Sequence, residues 1–129
     1  AAINAGGKTI AVLGCGIDIV APASNARLYH AIAEGGGAIV SEMPLGLRPD
    51  KGLFVTRNRI ISGLSLGVVV TEGTEHSGAL ITARNAAEQG REVFAVPGNI
   101  TSHGSRASAR LLKSGAKLVE SASDIMDEL

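Results

Sequence analysis

Apolar residues fall along the chain in short β-branched runs separated by stretches with helical spacing. Thr9 to Leu13, Ala38 to Ser41, Gly67 to Thr71 and Glu92 to Val96 have the length and residue types of strands, and Lys117 to Val119 is a fifth, weaker run. One intervening segment, capped by Ser24 or Asn25, carries Leu28 and Ile32 on one face and ends at Gly35-Gly36-Gly37. A second starts near Arg57 with Thr56 as its cap. The clearest runs from Gly78 to Gln89 behind Ser77, with Leu80, Ala83 and Ala87 as its apolar face, and a further one joins Ser105 to Gly115. Short polar side chains satisfy the free amides of a first helical turn, and glycine accepts the left-handed angles of a helix end, so these residues bracket the segments. Ser121 and Asp124 stand three apart, the spacing of a capping box, ahead of a last helix reaching Leu129.

Alternating strands and helices predict repeated βα units, an α/β, Rossmann-like fold with a mainly parallel sheet flanked by helices. Met43 to Thr56 holds two prolines and two glycines without periodicity and is expected to be a loop. Ala1-Ala2-Ile3 reads as the tail of a helix feeding into a strand. The chain is therefore expected to be one Rossmann-like domain over residues 1–129 that lacks upstream strands.

With 129 residues, 45% of them hydrophobic and 17 of them glycine, the chain can bury a core and is not disordered. Cys15, the single cysteine, closes no disulfide within the chain, and no His or Cys stands at zinc-ligand spacing. No metal and no cofactor is expected, and a reducing cytoplasm fits. No apolar stretch is long enough to span a bilayer, and no targeting signal is visible. The formal net charge of zero hides an uneven distribution. Arg48, Lys51, Arg57 and Arg59 cluster around one aspartate, Asp50. Arg84, Arg91, Arg106, Arg110 and Lys113 form a second basic stretch, and Glu120, Asp124, Asp127 and Glu128 gather near the carboxy terminus.

In a parallel sheet with right-handed crossovers, the loops leaving the strands' carboxyl ends share one rim, where ligands bind. Three places there could carry chemistry. Gly14-Cys15-Gly16 would let a backbone approach a phosphate, or would make only a tight turn; its third glycine is missing, so no nicotinamide cofactor is assigned, and Asp18 reads as a turn or cap residue. Lys51 to Arg59 sets Phe54 before Arg57, Asn58 and Arg59 and close to Lys51. An aromatic face can stack on an unpaired base while guanidinium groups fork onto phosphate oxygens, which suits single-stranded nucleic acid. The plainer alternative makes Phe54 a core plug and the arginines a solvated face. The third place, Thr71 to Gly78, ends at a helix start where Ser77 and Gly78 could hold an anion, or where Ser77 simply caps. Glu72 is expected to brace neighbouring loops rather than to act as acid or base. His30, His103 and Ser41 have no partner by spacing, so no catalytic residues are assigned.

Phe54-Val55-Thr56-Arg57-Asn58-Arg59-Ile60-Ile61-Ser62-Gly63-Leu64-Ser65, then Ser77-Gly78-Ala79-Leu80-Ile81-Thr82-Ala83, then Gly90-Arg91-Glu92-Val93-Phe94-Ala95-Val96-Pro97-Gly98 closely resemble the signature blocks of the DNA-processing protein A (DprA/Smf) family. Similarity runs over nearly the whole chain. The resemblance implies a Rossmann-like domain that binds and protects single-stranded DNA without altering it. It also implies loading of the RecA recombinase onto incoming DNA in natural transformation, generally as a homodimer. By motif, Lys51 and Phe54 would contact a phosphate and a base. Arg57 and Arg59 would line the same basic pocket, and Asn58 would brace or contact the strand. The family's upstream half, with its own arginine loop, is absent here. Val55, Ala107 and Ala109 stand where the family usually has proline, glycine and asparagine. A nucleoside-monophosphate hydrolase of the lysine-decarboxylase-like Rossmann group is the alternative, faintly suggested by Glu72-Gly73-Thr74, but its denser glycine block is absent.

Overall fold

A computed structural model describes all residues from Ala1 to Leu129. The chain divides into two compact units, Ala1–Arg57 and Asn58–Leu129, each with its own sheet. All five strands are present and pair in parallel, as the βα alternation requires, in one sheet of two strands and one of three.

In the first unit β1 (Ile10–Val12) pairs with β2 (Ala38–Val40), and the connecting α1 (Ala26–Glu34) packs on β2. Ile32 is the buried residue of α1, whereas Leu28, expected on the same apolar face, is about half exposed. The amino-terminal helical tail is a single 3-10 turn, Ile3–Ala5.

The second unit orders its strands β3 (Gly67–Val70), β4 (Glu92–Ala95) and β5 (Lys117–Leu118). Crossovers α3 (Gly78–Glu88) and α4 (Arg106–Lys113) pack on β3 and β4 and against one another. Val70, Ala83 and Ala107 form the core, with Val68, Leu80, Val93 and Leu111 packed around it. Phe94 is fully buried. On α3 the buried positions are Ala83 and Ala86; Ala87, expected on that face, is exposed. The small residues where helices meet strands let the layers close without large side chains.

The glycines end helices as the sequence indicates, but α1 has no side-chain cap from Asn25, and the last helix stops at Met126 instead of reaching Leu129. Gly36, Gly90 and Gly115 take positive φ just beyond α1, α3 and α4. Ser121 accepts from the Asp124 amide, and the Asp124 carboxylate accepts from the Ser121 amide, completing the capping box of α5 (Ala122–Met126). No helix is long and apolar enough to cross a membrane.

The remaining helix, α2 (Lys51–Gly63), departs from expectation. It starts six residues before Arg57, and Asp50 rather than Thr56 takes a first-turn amide, its Oδ1 accepting from Gly52 N at 2.8 Å. Lys51 and Phe54 therefore lie on a helix, not in a loop. Thr56, inside the helix, donates to Gly52 O instead. The start was hidden because the first turn is apolar outward: Phe54 and Val55 face solvent.

Candidate functional site

The loops after β1 and β2 are fastened to each other. Gly16 N donates to Leu47 O at 2.8 Å, and Ser41 Oγ donates to Cys15 O at 2.7 Å. Both oxygens of Asp18 lie within 3.0 Å of Gly46 N. Asp18, read from the sequence as a turn or cap residue, is thus the clamp between the two loops. A methyl group on Gly16 would sit 2.6 Å from Asp18 Oδ1 and 2.7 Å from Pro44 O, so the clamp closes only over a glycine.

Gly14, expected from the sequence in an anion loop, packs against α2. It is buried, and a Cβ there would lie 3.0 Å from Phe54 Cδ1 and 3.3 Å from Phe54 N. The backbone that comes close at this glycine belongs to the first turn of α2.

Phe54 is not a core plug: its relative exposure is 43%. Lys51, exposed, stands one helical turn before it, and Arg57 one turn after, the spacing at which helical side chains are neighbours. The Arg57 guanidinium carbon is 5.7 Å from the Phe54 ring centroid, within cation–π range. The same group donates a hydrogen bond from Nη1 to Val12 O, at the carboxyl end of β1. Burial lowers the Arg57 pKa from the usual arginine value, and nearby Cys15 works against that shift. Arginine stays charged regardless.

Asn58 and Arg59 continue α2 into the second unit, Asn58 half-buried and Arg59 exposed. The carbonyl of Arg59 accepts from Gln89 Nε2 at 2.9 Å.

At the carboxyl ends of β3 and β4, Ser77 caps α3 by accepting from Ala79 N at 3.2 Å. Gly78 is exposed, with open space around its Cβ position. The capping alternative for Ser77 is the one its geometry carries. Next to Glu72, Gly73 N donates to Gly104 O at 2.6 Å, and Gly73 O accepts from Ala107 N at 2.8 Å. Ala107 is fully buried against Gly73, and Ala109 is exposed. His76 meets only its exposed neighbour Glu75, at 3.5 Å. No group of three His, Cys, Asp or Glu residues is placed to hold a metal.

A cavity of about 900 Å³ lies between α3 and α4 at the amino ends of β4 and β5, the edge opposite to these loops. Its charges are largely engaged. Arg84 pairs with Glu88 at 2.9 Å, Lys117 with Glu92 at 3.0 Å, and Arg91 donates to Gly63 O at 3.0 Å. Size alone therefore does not mark it as the site.

The family model for DNA recombination-mediator protein A matches residues 1–129. The chain belongs to that family. It is 50% identical to Protein Smf of Escherichia coli K12 across its whole length, covering 34% of that protein. With the DNA processing protein DprA of Streptococcus pneumoniae it shares 46% identity over 99% of the chain and 45% of the relative. The X-ray structure of the pneumococcal DprA superimposes with a TM-score of 0.91. DNA processing protein A from Helicobacter pylori, whose structure concerns its single-stranded DNA binding mode, matches with a TM-score of 0.82 at 28% identity, over 92% of this chain and 54% of that one. The chain thus spans between a third and about half the length of these relatives. The α/β, Rossmann-like fold class and the DprA/Smf resemblance read from the signature blocks both hold.

Proposed function

We propose that the chain is the single-stranded DNA-binding part of a DNA recombination mediator, acting by binding and not by catalysis. One observation carries the reading: an aromatic ring presented to solvent one helical turn from an exposed lysine, at the positive amino-terminal end of α2. Aromatic stacking tolerates any base and a cation near the backbone any sequence, so the binding would be sequence-independent. Kinship with a Helicobacter pylori protein studied for single-stranded DNA binding supports the same reading.

In this proposal Phe54 stacks on a base and Lys51 meets a phosphate. Asn58 and Arg59, farther along α2, are candidates for further strand contacts, and Gly78 is the open position at the start of α3. Protection of the strand, loading of RecA, a homodimeric state and a cytoplasmic place of action go with the family role and are proposed with it.

Fluorescence anisotropy with labelled oligothymidylate over a salt series tests the reading. Phe54→Ala should weaken binding by about 1 to 3 kcal/mol. Lys51→Ala should flatten the slope of log affinity against log salt by about 0.7, one phosphate contact on a single strand. Unchanged affinity in both variants would remove the site, and release of free base from a nucleotide panel would favour the hydrolase instead.

A further inference from the structure

The resemblance gives Lys51 a phosphate contact and has Arg57 and Arg59 line the same basic pocket around Phe54. Arg57 is held differently from Lys51. Its guanidinium is half-buried, bound to the Val12 carbonyl and set 5.7 Å from the Phe54 ring centroid. A planar fork with five donors can serve a carbonyl and a ring face together, which a lysine ammonium cannot do with one geometry. The ring also rests near Gly14, where an added methyl group would stand 3.0 Å from Cδ1.

We infer that Arg57 is a positioning residue for the Phe54 ring and not a ligand for phosphate. Turning the guanidinium toward a strand would give up the Val12 carbonyl, exposing a strand-end acceptor, and would release the ring it covers. Held as it is, it fixes one side of the ring, Gly14 fixes the base of it, and the remaining surface stays open to a nucleobase. Loss of Arg57 would therefore act through the base contact. The inference rests on the proposed DNA site for its consequence, but the ring's placement can be tested without DNA.

Phe54 and Phe94 are the only phenylalanines, so selectively labelled phenylalanine gives two sets of ring resonances. In Arg57→Ala the Phe54 signals should move toward free-chain values while those of buried Phe94 stay in place. Phe54 signals that do not move overturn the inference.

With oligothymidylate, Arg57→Ala should cost about 3- to 10-fold in affinity with the parent's salt slope retained. It should add nothing once Phe54 is already alanine. A slope flattened by about 0.7 would make Arg57 a phosphate ligand and overturn the inference. Arg57→Lys separates the two roles and guards against a misfolded alanine variant: a positioning role leaves lysine nearly as weak as alanine, whereas a phosphate role restores binding close to the parent. Should the parent chain bind no oligonucleotide, the DNA site fails while the resonance experiment still decides where Arg57 holds the ring.

Discussion

The Ser62 hydroxyl donates to Gln89 Oε1 at 2.7 Å, and Nε2 of the same amide donates to the Arg59 carbonyl at 2.9 Å. One glutamine side chain, at the end of α3, thereby grips the carboxy-terminal half of α2. Ser62 is fully buried, so the site has room for a hydroxyl and little else. Ser62→Ala should lower unfolding free energy by about 1 kcal/mol, the net value of one hydrogen bond. Ser62→Val should cost more, about 1 to 3 kcal/mol, through overpacking. Urea unfolding midpoints check both, and a valine variant as stable as the parent would mean the site is looser than described.

Gly67 opens β3 directly against Phe94. A Cβ there would stand 2.8 Å from Phe94 Cε2 and 3.2 Å from Glu92 O, and a fully buried ring has nowhere to go. Gly67→Ala should destabilise by about 1 to 3 kcal/mol. Gly78→Ala, with open space around its Cβ, should fall within about 1 kcal/mol of the parent and leaves the helix start intact. Thermal unfolding of the pair separates a packing glycine from a merely permissive one.

The capping box of α5 gives a pH dependence. Backbone amides of Glu120 and Ser121 and the Ser121 hydroxyl hold the Asp124 carboxyl below its usual range. A depressed folded-state pKa contributes stability above the unfolded value, near 3.8, and loses it as pH falls through the folded value. The α5 amides should therefore exchange faster with solvent than at about pH 6, and progressively so as pH falls below 3.8, corrected for intrinsic rates, and Asp124→Asn should remove most of that difference. Equal protection across the range would show that the carboxylate does not hold the helix start.

Much of this architecture was legible because it rests on local rules. Strands announced themselves as β-branched runs, and Gly36, Gly90 and Gly115 mark helix ends because left-handed angles there favour a residue without a side chain. The start of α2 was not legible, since its exposed Phe54 and Val55 and its buried Ser62 invert the usual apolar pattern. Pro49-Asp50 carried the missed signal, a proline just ahead of a capping aspartate. The aromatic and the cations of the candidate site could be named from residue types alone. That Gly14 packs under Phe54, that Arg57 turns to Val12 and that Asp18 reaches Gly46 depend on contacts between residues 28 to 45 positions apart, which spacing does not encode.

Gly14 offers a way to disturb the ring without touching a charge. An added methyl group in Gly14→Ala meets Phe54 Cδ1 at 3.0 Å, and also the Phe54 amide nitrogen at 3.3 Å and the Leu53 carbonyl carbon at 3.4 Å. Two of those three neighbours are backbone and yield little, so the ring, which is partly exposed, is the part that swings. Stability should fall by no more than about 1 to 2 kcal/mol, because a displaced ring enters solvent instead of a packed core. Oligothymidylate affinity should fall toward that of Phe54→Ala while the salt slope stays at the parent's value, since every phosphate contact is retained. Binding measured across a salt series checks it: parental affinity in Gly14→Ala would mean the ring's position does not matter for the strand, and a flattened slope would mean a cation had moved as well.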